Sequence, residues 1–569
     1  MLNGSPLNGA PLNGAAQRAA PAPPDYIVRG VGYRWRLRLL VGGVDMTAQL
    51  TGDVDVDREE GAAGVAGFAL YIAPGTPVVP TDWIGKTVSL DYISTTAGVT
   101  TEARRYTGQI ASPVWNPTPR LLSCECSDQL QQRVEAMTVA AIDALAGGYW
   151  SADVFEATEG RSHWDYAIER LSTRPVSLDC SPAGALRVTS WYASAPHFVF
   201  GPGTTIYQSL GLDLAPLSNI TNRVEIEFSY RYSRLWQRNQ QYTWKHPETG
   251  SSEGIGGFCL WRTFPSELPT IDMVEEAASG NGQTIVSSSY YLLPGTMADP
   301  CGDGSPWINT TGESLLLGAA WTGARRWAQT VTETYTLTLS TAAGEVEDTR
   351  IVQRASYSFE VEDEAAEAWE ADPITGGASS VTDLQDETRR ATAINVALRI
   401  HQTEIIAAHR ATLISWDVPT SMAMGVDLIH TLELNSEGVH AIGKCRRIVD
   451  RFSLGSGTAI TTLTSAVMRG GGTSDPLTLP ARLGVGAVGT EDSGAGLELP
   501  TQLSGWLLPP YDEALPGFSG NNDAGGGEET FPRRLDAPVD ELPATERDEN
   551  KLTAGRLYLV GIPNNTLEV

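Results

Sequence analysis

Several residue types are scarce in this chain of 569 residues, and each scarcity excludes a class of protein. Six cysteines are too few for a disulfide framework in so long a chain. Basic residues number 40 against 68 acidic ones, which leaves a formal net charge of −28. Because phosphate contacts need clustered Lys and Arg, we expect no stable binding of nucleic acid.

Long hydrophobic runs are also lacking. No stretch approaches the ~18 apolar residues of a transmembrane helix, so we expect no membrane span. The first residues, MLNGSPLNGAPLNGAAQRAAPAPP, have neither a basic region nor an apolar core and do not resemble a secretory signal. We therefore expect synthesis and assembly in a reducing cytoplasm.

What the chain has in abundance is turn and strand formers. Gly (58) and Pro (34) are plentiful, and 41% of the residues are hydrophobic against 19% charged. Together with many Thr, Val and Tyr residues, this composition favours strands and turns over long helices. We predict a mainly β, multidomain protein with a few helices (α+β), built from barrel-like domains, an inserted domain and extended terminal arms.

The predicted domains follow changes of pattern along the chain. They are, in order, a Leu-Asn-Gly repeat arm (1–24), a first β domain (25–145), a mixed inserted region (146–330), a second β domain with strands, a long helix and a hairpin (331–469), and an extended Gly/Pro-rich C-terminal arm (470–569). Residues 237–330 show no sustained period, and no fold is assigned to them. The C-terminal arm is too polar and too broken to make a core of its own.

The N-terminal arm repeats Leu-Asn-Gly at Leu2, Leu7 and Leu12. Asn-Gly is turn chemistry, because both residues tolerate a positive φ. One interpretation is a flexible leader, which the following Ala/Pro run supports. The other is an arm whose leucines dock on a neighbouring subunit.

Alternation of apolar and polar residues marks the strands. In Tyr33–Leu39 large apolar residues alternate with arginines, and Arg223–Trp236 shows the same period of two. Further strands are predicted at Gly67–Ile72, Lys86–Tyr92, Ala103–Ile110, Arg120–Cys126, Leu186–Tyr192, Tyr335–Leu339, Tyr357–Val361, Thr412–Val418, Val426–Leu434, Val439–Phe452, Thr458–Val467 and Arg556–Ile562. The last of these is expected to add to a sheet edge, of this chain or of a partner.

Helical periodicity predicts three helices. These are Asp128–Leu145, Ser162–Ser172 and a longer one at Asp386–His409, for which Thr382 or Asp383 is available as a cap. The short run Leu454–Gly457 between two strands predicts a hairpin turn.

The most recognisable sequence lies between about Asp386 and Met468. A helix with ATAIN (391–395) and EIIAAHR (404–410) leads into a strand, MGVDLI (424–429), and a hairpin with GKCRRIVDRF (443–452) and TAITTL (458–463). This order resembles the hub domain of tail proteins from long-tailed bacteriophages. The segment NITNR (219–223) with the strand after it is also similar to tail-tip proteins.

This resemblance implies a structural subunit of a phage tail tip, a baseplate hub. The family forms a ring, usually a trimer, at the distal end of the tail tube, and two barrel-like hub domains per subunit would match a sixfold tube. The implied partners are further copies of the chain (a homotrimer), tail tube and distal tail proteins, and tail fibre or tip proteins. The protein would belong to the virion tail and be assembled in the host cytoplasm. DNA would pass through the ring during ejection, and an acidic lumen would repel it.

Candidate metal ligands do not form a recognisable set. The seven histidines (His163, His197, His246, His401, His409, His430 and His440) include no His-x-x-x-His pattern. His401 and His409 share a face of the predicted helix, where a partly exposed surface is the simpler interpretation. Some tail-tip relatives hold an iron–sulfur cluster, but we expect buried free thiols here, although Cys124 and Cys126 would point the same way on a strand.

Three motif matches fail by context, so no catalytic, cofactor or metal residues are assigned and the chain is not expected to be an enzyme. Gly250–Gly254 fits Gly-x-Ser-x-Gly without a nucleophile elbow, Gly484–Gly489 fits a dinucleotide fingerprint without a following helix, and Gly85–Thr87 ends like a Walker loop that has Pro80 at its first glycine. Two alternatives to the hub stay open. One is a receptor-binding or cell-wall-degrading tail protein with 146–330 as its module. The other is the spike hub of a secretion machine.

Overall fold

The computed structural model describes residues 34–96, 98–155, 157, 160–216, 220–247, 267–293, 296–297, 307–308, 314–342, 353–363, 374, 379–484, 493–503, 511–520 and 532–569. The predicted N-terminal arm (1–24) lies outside these residues. Within them the chain is mainly β with a few helices, arranged in several sheets. None of the helices in the described part combines the length and apolar character needed to cross a membrane.

The strands, in chain order, are β1 Arg34–Val41, β2 Val44–Asp45, β3 Leu50–Glu59, β4 Val65–Tyr71, β5 Thr87–Thr96, β6 Val99–Asn116, β7 Leu121–Ser127, β8 Val176–Cys180, β9 Leu186–Ser190, β10 Phe198–Phe200, β11 Gly211–Asp213, β12 Thr221–Lys245, β13 Thr284–Leu292, β14 Thr296–Met297, β15 Trp307–Ile308, β16 Leu316–Ser340, β17 Gln353–Asp363, β18 Ser380–Leu384, β19 Thr412–Pro419, β20 Thr431–Ser436, β21 Val439–Ser453, β22 Thr458–Val467, β23 Ser493–Glu498, β24 Thr501–Leu503, β25 Gly517–Gly520, β26 Arg534–Asp536, β27 Asn550–Leu559 and β28 Leu567–Glu568. The α-helices are α1 Leu130–Glu135, α2 Val139–Ala146, α3 His163–Ser172, α4 Ile271–Gly280, α5 Glu387–Ala408 and α6 Ala544–Arg547.

The N-lobe is formed by β1 to β7. Its strands lie in the order β3-β4-β7-β6-β5-β1-β2. The inward positions of β1, Leu37, Leu39 and Val41, are buried as the alternation predicts. Within the described residues no strand ladder closes the lobe into a barrel. Trp35 Nε1 of β1 donates to Gly457 O, in the turn between β21 and β22, at 2.9 Å.

The second lobe is formed by β10, β11, β19 to β22 and β28. Its main row is β11-β19-β22-β21-β20-β10. The predicted hairpin is confirmed, because β21 and β22 pair on either side of the turn at Leu454–Gly457. The predicted strand Val426–Leu434 begins later, at Thr431, since the chain turns first and His430 N donates to Asp427 O at 3.0 Å.

The two lobes share one continuous sheet. The first half of β21 pairs with β20, and its second half pairs with β3 of the N-lobe, from Arg447 opposite Glu59 to Ser453 opposite Asp53. The β21–β22 hairpin therefore has its base in one lobe and its tip in the other.

The long-strand sheet is formed by β12, β13, β16, β17, β18, β23 and β27. Antiparallel pairing of β12 and β16 runs from Arg223 opposite Ser340 to Lys245 opposite Gly318. Both strands extend well beyond the predicted segments, and much of β16 lies in the region left without a fold. The inward face of this sheet packs against α5 in one core with Phe228, Leu337, Ile394 and Leu398.

Residues 130–190 form a small helical body with its own core. The predicted helix Asp128–Leu145 is wrong as one element, because the chain breaks after α1 and restarts as α2, where the Thr138 side chain accepts a hydrogen bond from Ala141 N. The predicted helix Ser162–Ser172 is confirmed as α3, with Ser162 as its N-cap.

The C-terminal residues contribute strands to two different sheets. Strand β27 runs parallel to β16, from Asn550 beside Val331 to Leu559 beside Ser340, so it extends a sheet of its own chain. Strand β28 pairs with β21. The domain boundaries at 24, 145, 330 and 469 stay a prediction, and strand pairing crosses the last three of them.

Candidate functional site at the junction of the two lobes

A concentration of buried charge lies where the lobes and the helical body meet. Asp427, in the turn before β20, accepts hydrogen bonds from Arg58 Nη1 at 2.8 Å and from Arg187 Nη1 at 2.5 Å. Arg187 also donates through Nε to Asp179 Oδ1 at 2.7 Å. Four side chains from β3, β8, β9 and the turn at Asp427 thus form one chain of ion pairs, which we call the junction cluster.

A second buried pair extends the cluster toward α5. Arg410, just beyond this helix, pairs with Glu60 at the end of β3, and its guanidinium lies over the Trp191 ring. The Lys444 ammonium of β21 donates a hydrogen bond to Ile429 O. Parts of the chain more than 300 residues apart in sequence are thereby held together.

The electrostatics of the cluster follow from burial and partners. Burial alone would raise the pKa of Asp427, but hydrogen bonds from Arg187 and the charge of Arg58 outweigh it and lower that pKa to about 2. Burial raises the pKa of Glu60 and of Asp179, in spite of their Arg partners. Asp427 is therefore the carboxylate that the cluster holds firmly ionised at neutral pH.

The Arg105–Asp450 pair joins the lobes at a second point. Arg105 of β6 reaches Asp450 of β21 through Nε at 2.8 Å and Nη2 at 2.7 Å, and both side chains are fully buried. Thr461 also donates to Asp450, at 2.6 Å. A bidentate, fully satisfied pair of this kind fixes geometry more than it adds stability.

Several buried polar atoms of the junction cluster have no hydrogen-bond partner among the described residues. They are Nε and Nη2 of Arg58, Oε1 of Glu60, Oδ2 of Asp179 and Nε of Arg410. Ordered water is the ordinary partner of such groups. Chemically the arrangement can fix the relative position of the lobes.

The histidines that the sequence singled out serve structural roles in the described residues. His401 is buried, contrary to the partly exposed surface expected, with its ring 4.0 Å from that of Tyr357 and its Nδ1 2.9 Å from Glu404. His409 caps the end of α5 and contacts Arg469 O and Asn222. His197 and His430 lie side by side, with ring centroids 5.1 Å apart. His401 and His409 contact different groups, Glu404 in the first case and Arg469 and Asn222 in the second.

The cysteines are buried where the structure describes them. Cys124 and Cys126 point into the N-lobe core from β7, and Cys180 and Cys445 are also buried and free, as expected. Burial raises the pKa of Cys124 and of Cys180 to about 12, because the charged thiolate is poorly solvated there. Cys259 and Cys301 lie outside the described residues. Within the described part of the chain, no group of three or more His, Cys, Asp or Glu side chains is placed to hold a metal ion.

The three motif matches found in the sequence lie only partly within the described residues. Gly85, with φ +77°, and Lys86 form the turn before β5, and the Lys86 ammonium lies over the Trp83 ring at 4.4 Å. Gly250–Gly254 lies outside the described residues, as does all of Gly484–Gly489 except its first residue.

Sequence reasoning missed the junction cluster. Strand β3 was not predicted, because Asp53, Asp55 and Asp57 give it an acidic appearance. The available signal was its alternation: Val54 and Val56 are buried, and the next inward position is Arg58. A basic residue at an inward position requires a buried partner.

Comparison with known proteins gives structural neighbours only. No protein-family model and no curated protein matches the sequence. The chain is similar to a tail protein from Neisseria meningitidis MC58 (10% identity, TM-score 0.36, covering 76% of this chain and 96% of that one). It is also similar to the 43 kDa tail protein of prophage MuSo2 from Shewanella oneidensis (9%, 0.36, 76% and 97%). A third neighbour is an E. coli component of the type VI secretion system (6%, 0.27, 76% and 76%).

Proposed function

We propose that this chain is a structural subunit of a phage tail tip, a baseplate hub that forms a homotrimeric ring at the distal end of the tail tube. The observation that carries this proposal is the pair of β lobes set side by side in one sheet and locked by a shared hairpin. Three such subunits present six lobes, which suits contact with a sixfold tube.

Rigidity between the lobes is what such a ring requires. Arg105–Asp450 and the junction cluster are buried and join elements far apart in sequence. Breaking a pair of this kind leaves a buried charge without its partner, so hinge motion at the junction is costly. Each subunit would therefore transmit force from tip to tube as a single block.

The passage of DNA is assigned to the solvent-facing side of the long-strand sheet. Exposed Glu227 of β12 and Glu360 of β17 lie on this face, two residues apart in register, among Ser and Thr side chains of β12, β16 and β17. The cations on this face are each paired with a carboxylate: Arg223 with Glu225, Arg231 with Glu362 and Lys551 with Glu549. With Glu227 and Glu360 added, carboxylates outnumber cations, and such a surface would repel phosphates, so that DNA would slide along it without binding.

Assembly is tested by light scattering and electron microscopy of the purified full chain. We expect rings with three times the mass of one 60.9 kDa subunit. A monomer at all concentrations, with no ring bound to tail tubes, would overturn the proposal. A zymogram on host cell wall completes the test, because lysis by a monomer would assign the chain to wall degradation instead.

The role of the acidic face is tested in virions by reversing its charge. Glu227→Lys combined with Glu360→Lys should slow genome ejection, because two cations create phosphate-binding points in the channel. The matched control is Asp213→Lys with Glu276→Lys, which changes the net charge equally at exposed positions elsewhere. Equal ejection rates for both double variants and the wild type would reject this face as the channel wall.

A further inference from the structure

A groove with an uncharged lining lies at one end of the N-lobe, remote from the junction cluster. Its cavity has a volume of about 380 Å³ and is lined by Met46, Ala48, Gln49, Tyr71, Ile72, Ala73, Thr76, Pro77, Val78 and Trp83. No lining side chain is charged. Ile72 of the lining is buried in the N-lobe core, and Met46, Val78 and Trp83 pack against that core. A groove of this size and lining suits a short apolar segment with few polar groups.

The walls of the groove are held open by the protein itself. Arg120 donates through Nε to Ile72 O at 2.7 Å, and through Nη2 to Ala73 O at 2.9 Å and Thr76 O at 2.8 Å. These bonds fix the loop after β4. On the other side, the Lys86 ammonium lies over the Trp83 ring. Preorganisation lowers the cost of ordering the site when a ligand binds.

Exposed apolar side chains flank the groove. Val44 (61% exposed), Val79 (51%) and Ile84 (56%) lie within two residues of lining positions, and Tyr71 of the lining is itself 45% exposed. Exposed apolar side chains close to a groove add to the area that a partner can bury.

The sequence of this chain contains a segment that matches the groove. Residues 1–17 carry no charged side chain and present Leu2, Leu7 and Leu12 at intervals of five, each followed by Asn-Gly. Leucine supplies the apolar contact, and the polar Asn-Gly unit can bond to Gln49 and Thr76. The uncharged lining and the uncharged segment are complementary.

The arm is long enough to reach its own groove or that of another copy, and the association of copies in the hub proposal favours the second. The arm joins β1 at Arg34, which pairs with Thr95, whereas the groove lies beyond the opposite end of β1, near Val41 and Val88. The arm therefore leaves the lobe at the end away from its own groove. An extended chain of the 21 residues between Leu12 and Arg34 spans up to about 70 Å, enough to reach a neighbouring subunit.

We propose that the Leu-Asn-Gly arm of one subunit docks its leucines in the N-lobe groove of the next. The contact rests on the association of copies that the hub proposal contains. It would link neighbouring subunits by a flexible strap in addition to their rigid faces, so the ring could widen without coming apart.

Photo-cross-linking in the full chain tests the docking. Unlabelled subunits with benzoylphenylalanine in place of Leu7 are mixed with ¹⁵N-labelled subunits and irradiated after assembly. We expect cross-linked peptides that join an unlabelled arm to labelled residues 46–49, 71–78 or 83. Cross-links confined to unlabelled chains, scattered over the surface, or absent would overturn docking between copies.

A pair of matched variants in the labelled subunit sharpens the test. Val78→Asp places a charge in the groove and should lower the cross-link yield by about tenfold or more. Val114→Asp, at an exposed valine (59%) of β6 outside the lining, should leave the yield unchanged. Rings that form with no cross-links at the groove would overturn the docking and leave the hub proposal standing.

Discussion

Individual charged residues at the junction of the lobes come from distant parts of the chain. The Arg58–Asp427 pair joins residues 369 positions apart, and the side chain of Arg58 is 4% exposed. At such buried positions a charge without a partner carries the full free-energy cost of desolvation. Removing one partner therefore destabilises the fold by more than the intact pair stabilises it. The stability of the junction is therefore concentrated in a few side chains.

Asp427→Asn should lower the free energy of unfolding by about 3 kcal/mol. The substitution keeps the shape of the side chain but leaves the cations of Arg58 and Arg187 without a countercharge. The measurement is urea unfolding of the full chain. Asp57→Asn serves as control, because its partner Arg447 is 46% exposed and the change should cost no more than about 1 kcal/mol. Equal losses of unfolding free energy in the two variants would show that burial in the junction cluster does not raise the cost of breaking an ion pair.

Acid stability should depend on Asp427 in a defined window. Its pKa falls from 3.8 to about 2 in the folded chain, so its stabilising contribution is complete above pH 4 and is lost as the pH falls toward 2. That contribution is on the order of 2 kcal/mol. The raised pKa of Glu60 has the opposite sign, because its cost to stability grows as the pH rises above the unfolded value. Subtracting the stability curve of Asp427→Asn from that of the wild type isolates the first effect, and a flat difference between pH 4 and 2 would contradict it.

Single elements were predicted well where the side-chain period dominates. Strands β1 and β21 and helix α3 follow directly from alternation or helical spacing. The break between α1 and α2 was missed because apolar residues continue through Met137, and only Thr138 signals a new start. A periodic stripe does not distinguish one helix from two that share a core.

The cap of α5 shows how a neighbouring strand changes an interpretation. Thr382 was a candidate cap, yet it lies in β18, and Asp386 caps the helix by accepting from Arg389 N at 3.0 Å. Asp386→Ala should cost about 1 kcal/mol in thermal unfolding. Thr382→Ala, at an exposed strand position, should cost less than about 0.5 kcal/mol. A larger loss of stability in Thr382→Ala than in Asp386→Ala would indicate that Thr382 caps the helix.

The β21–β22 hairpin couples the cores of the two lobes. Its base contributes Ile448 and Leu463 to the second-lobe core, and its tip contributes Phe452, which stacks on Tyr92 at 5.6 Å, to the N-lobe core. Phe452→Ala should cost about 3–5 kcal/mol, because it empties a fully buried site.

Hydrogen exchange locates this loss. In Phe452→Ala we expect faster amide exchange in β1 and β5, with a smaller change in β19. The control is Arg451→Ala, one residue earlier on the exposed side of β21. Uniform protection throughout both lobes of Phe452→Ala would mean that the hairpin does not couple them.

At the scale of the whole molecule, the pairing of distant segments could not be predicted. The sequence pattern locates strands but does not select their partners, and β21 finds partners in both β20 and β3. The same holds for the candidate site, which consists of contacts between segments and has no local motif. The predicted C-terminal arm illustrates the limit most fully, because its strand β27 pairs with β16 and adds Tyr558 to the core of the long-strand sheet.

Two neighbouring residues of β27 test whether this strand belongs to the sheet of its own chain. Tyr558 of β27 is buried in the core shared with α5, and its hydroxyl donates to Thr478 O at 2.8 Å. Leu557, the residue before it, points outward and is 46% exposed. Tyr558→Ala should lower the free energy of unfolding by about 3–5 kcal/mol, whereas Leu557→Ala should change it by less than about 0.5 kcal/mol. If β27 instead belonged to a partner's sheet, both variants of the isolated chain would unfold like the wild type. The loss in Tyr558→Ala alone requires that the strand reach back over more than 200 residues to stabilise β16 of its own chain.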